Sequence, residues 1–392
     1  MFYRLPPVGN KIRTEIAPPN NVVDAFSPHS IFFFNSGAAS LAAAVRAVVD
    51  EANCLNPEVI VPAYTCPEVI SAVLFANAQP VLVDLEKDRP WMDLSQVRRK
   101  LTNNTVAIIA VNLLGIQERI SSLYKIIGQR HVRIIEDSAQ SFPVSFEAQH
   151  YQGDLAIHSF GRGKPVSVLG GGAVICRRPE LKESLTAIHQ SVAMQSRRTF
   201  ETWLKIKLYN LLISPRCYWL PELLPFLNLG QTVFHPLEGI FQMADYNVKL
   251  LSSNIDEYQQ RRAEVQGELA GLAAGFRHQG VIDLLVAAGG CHDDVRLLRY
   301  PLLFPSAEIR DGVYNVLSRK GLGASRLYPC SLPNVDGLQD LLSSQGSFEN
   351  AESFAQRLLT LPTHEGVNGR LVRAMAAACE CVLFEYEDQS DA

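Results

Sequence analysis

Charge is scarce in this chain and nowhere massed. Asp, Glu, Lys and Arg make up 19% of 392 residues, the net charge is −4 with His neutral, and no block of like charge occurs. A protein that grips phosphate backbones carries a basic stripe or patch, so nucleic acid is excluded as the main partner. No window of about 18 uninterrupted apolar residues exists, which excludes a membrane-spanning helix. Cysteine is sparse: eight residues, at 54, 66, 176, 217, 291, 330, 379 and 381, with no Cys-x-x-Cys pair. That is neither a disulfide framework nor a zinc site. Cys379 and Cys381 fall on an Ala-rich helical stretch and read as packing residues. The first 21 residues hold several prolines and no apolar core of signal-peptide length, so the chain reads as cytoplasmic with reduced thiols. Internal repeats and low-complexity tracts are lacking as well.

What is present is core material. Apolar residues reach 47%, with Gly (25) and Pro (22) at ordinary levels, enough to bury a large interior. At roughly 150 residues per domain the length suggests two to three domains. Short β-rich apolar runs occur at 58–64 (EVIVPAY), 80–85 (PVLVDL), 106–111 (VAIIAV), 132–135 (VRII), 154–160 (DLAIHSF) and 172–176 (GAVIC). Helically spaced stretches at 38–50, 67–77 and 120–127 separate several of them. Strands alternating with helices predict βαβ units, and continuously apolar strands predict a mainly parallel sheet covered on both faces.

Residues 1–250 are therefore read as a large α/β domain, with an apolar helical insertion at about 181–235. Within it, 203–229 is rich in Leu, Trp and Tyr but broken by Lys205, Lys207, Pro215, Arg216, Pro221 and Pro225. Two readings stand for it: helices packing on a subunit interface or over the active site, and an amphipathic surface segment making weak peripheral contact with lipid. One long helix is predicted over 241–274, a strand at 299–304, a helix at 307–320, a second strand at 322–327 and a final helix around 368–380. Residues 251–392 thus read as a smaller α+β domain.

Three segments carry chemistry. In 134–140 (IIEDSAQ) a buried strand runs into Glu136 and Asp137. The carboxyl ends of strands are where open α/β sheets bind ligands; a helix N-cap is the competing reading. In 153–172 (GDLAIHSFGRGKPVSVLGGG) Lys164 sits in a turn bracketed by Gly161, Gly163 and the triplet Gly170, Gly171, Gly172. Glycines allow close backbone approach to a bound group, and a lysine desolvated in such a turn becomes a Schiff-base nucleophile. In 35–41 (NSGAASL) small residues open a helix and leave free N–H groups at its positive end, a phosphate seat without the lysine of a Walker loop. A phosphate seat, an acid at a strand end and a lysine in a tight turn are together what pyridoxal 5'-phosphate (PLP) requires.

The order of these motifs resembles the DegT/StrS-type family of PLP-dependent sugar aminotransferases, which share the aspartate aminotransferase fold. Residues 36–40 (SGAAS) are similar to its phosphate loop, 59–66 (VIVPAYTC) and 78–86 to two of its strand motifs, and 136–140 (EDSAQ) to its "EDAAQ". Residues 153–164 resemble its Ser-to-Lys segment, with 321–329 and 359–366 (LTLPTHEG) matching further on. The resemblance implies a seven-stranded, mainly parallel sheet with a smaller α+β domain, a homodimer, and polysaccharide or surface-glycan synthesis.

It also implies roles. Lys164 would bind the cofactor as an imine and shuttle the proton, and Asp137 would pair with the pyridine nitrogen. Gln140 would contact the ring hydroxyl side. Ser159, with Gly37 and backbone groups at Ala38 and Ala39, would hold the phosphate. Cys66 stands where a ring-stacking aromatic is usual, with Tyr64 as the nearby substitute. Tyr328, Asn112 and His235 would border the substrate, the last near an Asn of a neighbour-subunit motif that is otherwise unrecognisable around 233–238. Ala38 replaces a usual Thr, Asn112 a usual His, and Leu327 the His of "HYP"; an acid is missing at Gly170. The implied activity is transfer of an amino group, from glutamate, to a keto group of a nucleotide-activated sugar. A dehydratase or eliminase of the same fold is the alternative, which Lys164 opposes because dehydrating relatives carry His there; a non-catalytic sensor or scaffold is the third.

Overall fold

A computed structural model describes residues 3–390 apart from 19–21, 24–25, 146–149, 197, 225–229, 262 and 291–295. Cys291, Pro225 and the rest of the 225–229 end of the apolar segment lie outside the described residues. The apolar runs form a seven-stranded sheet: β1 (Ser30–Phe34), β2 (Glu58–Pro62), β3 (Gln79–Val83), β4 (Thr105–Val111), β5 (Arg133–Asp137), β6 (Leu155–Ser159) and β7 (Gly172–Cys176), in the order β1-β7-β6-β5-β4-β2-β3. Strands β3, β2, β4, β5 and β6 are parallel neighbours, and β7 runs antiparallel to both β6 and β1. Six strands therefore point one way, and their carboxyl ends share one edge.

Alternation along each strand assigns residues to the two faces. On one face Val59, Val61, Ala107, Ile109 and Ile135 pack with helices α1 (Gly37–Ala52) and α2 (Glu68–Phe75). On the other, Ile60, Ile108, Ala110 and Ile134 meet Ile120, Leu123 and Ile127 of α3 (Ile120–Ile127). Toward β7, Ala156, Ala173 and Ile175 pack with a third group of core residues. Two helices, α4 (Pro179–Ser191) and α5 (Thr199–Leu212), follow the sheet.

The stretch read as one long helix is two, α6 (Asp245–Gln259) and α7 (Glu264–Gly275). The break has a cause: the Arg296 Nε donates to the Arg261 carbonyl at 2.7 Å, taking the acceptor a continuing helix would use. Residues 241–243 are extended instead, with Met243 N–H bonded to the Phe33 carbonyl.

A second sheet joins β8 (Ile282–Asp283), β9 (Arg299–Leu303) and β10 (Leu358–Pro362), antiparallel and in the order β10-β9-β8. It is flanked by α8 (Ala307–Arg319), α9 (Glu349–Arg357) and α10 (Gly369–Ser390). The strand predicted over 322–327 does not form. Left-handed backbone at Gly321, Gly323 and Leu327 breaks the extension, and only Ser325 bridges to Thr360. The chain's beginning lies on this turn: Leu5 N–H bonds the Gly321 carbonyl at 2.8 Å, and a Cβ on Gly323 would come within 2.9 Å of the Pro6 carbonyl. Cys379 is buried as a packing residue, whereas Cys381 is exposed.

Candidate functional site

The shared edge collects the predicted residues. Tyr64 and Cys66 follow β2, Asn112 follows β4, Asp137 ends β5, Ser159 ends β6 with Lys164 just beyond, and α1 begins there after β1. The N-cap reading of Asp137 falls, because no helix starts after β5; its Oδ1 instead accepts from Ala139 N–H at 2.9 Å.

The other Asp137 oxygen has no hydrogen-bond partner among the described residues. Burial pushes this carboxyl up from the ordinary Asp value, and the nearby Lys164 ammonium pulls it back down. Lys164 is half-buried and makes no hydrogen bond or ion pair among the described residues. It also lies close to Cys66, whose thiol burial and the Glu68 carboxylate push up to about 11. No hydrogen bond or ion pair joins this amine to the Asp137 carboxylate, although the carboxylate feels the amine's charge.

The helix end is shaped for an anion. Ser36 caps α1, its Oγ accepting from Ala39 N–H at 3.0 Å. Ala39, a predicted phosphate donor, is therefore already engaged, and the free donors of the first turn are Gly37 and Ala38. Gly37 has to be glycine: a Cβ there would meet Ser159 Cβ at 2.5 Å and Oγ at 2.7 Å. Gly172 is equally constrained, with a Cβ falling 2.6 Å from the Ser36 carbonyl and the Ser40 Oγ. The triplet thus seats β7 against the start of α1.

A side-chain relay closes the site. Gln140 accepts from Leu114 N–H and donates to the Tyr328 phenol, both at 3.0 Å. Tyr328 also meets the Cys66 thiol. Tyr64 is not a ring-stacking substitute: it is 1% exposed, packs edge-on to Phe354 and Tyr328, and donates to the Tyr328 carbonyl at 3.0 Å. Its part is to hold the Tyr328 turn.

Asn112 does not face a substrate either. Its Nδ2 donates to Glu136 Oε1 (3.0 Å) and Ser138 Oγ (2.9 Å), and its Oδ1 accepts from Glu118 N–H (3.0 Å). His235 stays outside the cluster: its imidazole is exposed, and only its carbonyl is held, by Ser71 Oγ.

Sequence reasoning named Glu136 only as part of its strand end and missed Arg299 altogether. Glu136 is buried and binds the Gln152 and Gly153 N–H groups, tying the approach to β6 onto β5. Arg299 opens β9 with Nη1 on Ser325 Oγ at 2.9 Å, while its Nε is shielded from water without a partner. Burial lowers its pKa, and the neighbours that oppose the shift are the phenols of Tyr328, Tyr218 and Tyr64, with no carboxylate among them. Nothing in its local sequence, LLRYPLLF, separates it from the start of any buried strand.

His158 is structural. Ser138's carbonyl can only accept, so Nδ1 carries the proton, and Nε2 accepts from Tyr151 at 2.7 Å. Burial holds its pKa near 3, and that of His364 near 4. Folded-state values below the ordinary 6.5 leave stability intact above that pH and reduce it as the unfolded chain takes up protons below it. Each histidine should cost about 2 kcal/mol by pH 5, offset in part by Asp137 and Glu118, whose carboxyls burial raises. Urea unfolding should thus lose about 2–4 kcal/mol between pH 7.5 and 5, a pH-independent midpoint would refute this, and His158→Gln should remove half of the slope.

Residues 27–380 match the model of the DegT/DnrJ/EryC1/StrS aminotransferase family. Among curated proteins, the dTDP-3-amino-3,4,6-trideoxy-alpha-D-glucose transaminase of Streptomyces venezuelae is 26% identical over 339 residues, covering 84% of this chain and 76% of that protein. Among solved structures, the PLP-form of Spr1654 from Streptococcus pneumoniae, described as a sugar aminotransferase, superposes with a TM-score of 0.72 at 17% identity, covering 98% of this chain and 99% of that one. The E. coli GDP-4-keto-6-deoxy-D-mannose-3-dehydratase superposes with a TM-score of 0.67 at 15% identity, covering 93% and 92%. At these identities the structural likenesses establish the fold.

Proposed function

The chain belongs to the DegT/DnrJ/EryC1/StrS aminotransferase family, and on that premise we propose that it is a PLP-dependent aminotransferase. It moves an amino group from glutamate to a keto carbon of a nucleotide-activated sugar, as a homodimer, for polysaccharide or surface-glycan synthesis. In this reading residues 1–250 hold the cofactor and residues 251–392 form the smaller domain over it. The observation that carries the reading is that the Lys164 amine and the Asp137 carboxylate lie within electrostatic reach of each other at the sheet's carboxyl edge, with no hydrogen bond or ion pair joining them.

The residues fit the cofactor. Gly37 and Ala38 N–H groups with Ser159 Oγ offer donors to its phosphate, and the free Asp137 oxygen suits a protonated ring nitrogen. Cys66 and the Gln140–Tyr328 pair supply groups for the ring between them. PLP, when bound, supplies an electron sink for breaking the bond to hydrogen at the carbon that bears the amine. Lys164 Nζ would hold the cofactor through its aldehyde and would carry the proton at the substrate carbon. Asp137 would face the ring nitrogen as a carboxylate, an ionisation that Lys164's charge supports before the cofactor is bound. Tyr328, fixed by Tyr64 and Gln140, screens the reacting face from water.

Arg299 completes the assignment as the seat of the donor's carboxylate, the counter-ion that no described residue provides. A half-buried cation without a counter-ion costs stability, so Arg299→Met should melt no lower than the parent. The same change should lower kcat/KM for glutamate at least about 30-fold, the scale for losing one partner of a charge pair, and leave kcat/KM for the sugar unchanged. Release of 2-oxoglutarate from glutamate and a panel of keto-sugar nucleotides measures both constants. Absence of glutamate-dependent amino transfer to every sugar tried would reject the function itself.

A further inference from the structure

Helix α5 has two apolar sides. Thr202, Ile206 and, partly, Tyr209 face inward. Outward stand Phe200 (70% exposed), Leu204 (51%), Leu208 (53%), Leu211 (57%) and Trp203 (38%). At 3.6 residues per turn these five share an arc of about 140°. Phe200 stacks on Trp203 at 6.1 Å, so the exposed rings form one surface. Leu220, Leu223 and Leu224 continue the exposed apolar stretch a few residues on.

The charges around this face are of one sign once pairs are removed. Glu201 is held by Arg198 and Glu222 by Arg4. Lys205, Lys207 and Arg216 are exposed and have no acidic partner among the described residues. Lys207 lies over the Trp203 ring at 5.6 Å, its stem along the apolar face and its ammonium free to reach outward. A large apolar face crossed by Lys207 and flanked by further uncompensated cations is what an interfacial helix presents to acidic headgroups. A second copy of this face would offer the same uncompensated cations and no free carboxylate to meet them.

We propose that the outer face of α5 docks on an anionic lipid bilayer, with Phe200, Trp203, Leu204, Leu208 and Leu211 entering the interface and Lys205, Lys207 and Arg216 meeting acidic headgroups. Among the described residues no helix is long and apolar enough to cross a membrane, so the contact is peripheral. The inner side of α5 reaches the Lys164 turn, where Tyr209's phenol faces the Gly163 backbone. Docking therefore holds that turn about one helix diameter, roughly 10 Å, from the lipid.

The test is co-sedimentation of the full chain with phosphatidylcholine vesicles with and without phosphatidylglycerol, alongside sedimentation equilibrium without lipid. Binding to the acidic vesicles that weakens with salt, with a blue shift of tryptophan emission, is expected. The charge reversals K205E/K207E/R216E should weaken it about 100-fold, and W203S/L204S/L208S should abolish it. Both variants change exposed side chains only, and unchanged melting confirms that they fold. No binding to acidic vesicles overturns the proposal, as does equal binding to neutral and acidic vesicles. Self-association abolished by the serine variant, without any vesicle binding, would mean that a second copy covers this face.

Discussion

Lys164→Ala is expected to lower amino transfer at least about 1,000-fold while leaving the fold intact. Two losses combine: the covalent hold on the cofactor, and the proton carrier, which alone is worth about 100- to 10,000-fold. Stability should hardly change, because Lys164 gives up no hydrogen bond or ion pair among the described residues and is only half-buried. Borohydride treatment of the PLP-loaded protein followed by peptide mass analysis reads the covalent part. The parent should carry a reduced pyridoxyl group on the peptide containing Lys164, and the variant none. Activity within ten-fold of the parent would remove Lys164 from the chemistry.

Asp137→Asn should reduce kcat at least about 100-fold, with melting at or above that of the parent. The amide keeps the side-chain oxygen that accepts from Ala139 N–H, so the turn after β5 stays closed. It relieves the burial that already pushes the carboxyl up, hence the absence of a stability cost. What disappears is the negative charge that would keep the ring nitrogen protonated. A drop of about 2.7 kcal/mol in transition-state stabilisation corresponds to that 100-fold. Single-turnover reaction with glutamate, followed by cofactor absorbance, isolates this step. A variant that turns over normally would place the ring nitrogen elsewhere.

Much of this site was legible because parallel strands write their position into the sequence. A buried strand must be apolar along its length, so a carboxylate ending such a run, as in IIED, or a glycine-bracketed lysine just past one, marks the sheet's carboxyl edge. Roles that depend on where a side chain turns were not legible. Tyr64 and Asn112 sit on the correct edge, yet Tyr64 turns back under Tyr328 and Asn112 spends its amide on Glu136, Ser138 and Glu118. The helix break after Gln259 and the lost strand at 322–327 escaped for a related reason. Each is decided by a partner distant in sequence, Arg296 in one case and residues 4–6 in the other. Arg299 stayed hidden because the absence of an acid beside a cation is a fact about three dimensions.

The opening strap has a bearing on how the molecule is made. Arg4 and Leu5 N–H groups bond the carbonyls of Pro215 and Gly321, and the His364 ring reaches the Pro6 carbonyl at 3.0 Å. Residues 4–6 thus find their last partner 358 residues further along the chain. Until they meet, the turn bearing Tyr328 lacks its backing. Loop closure over such a separation is slow, so the seven-stranded sheet should assemble before the pocket is finished.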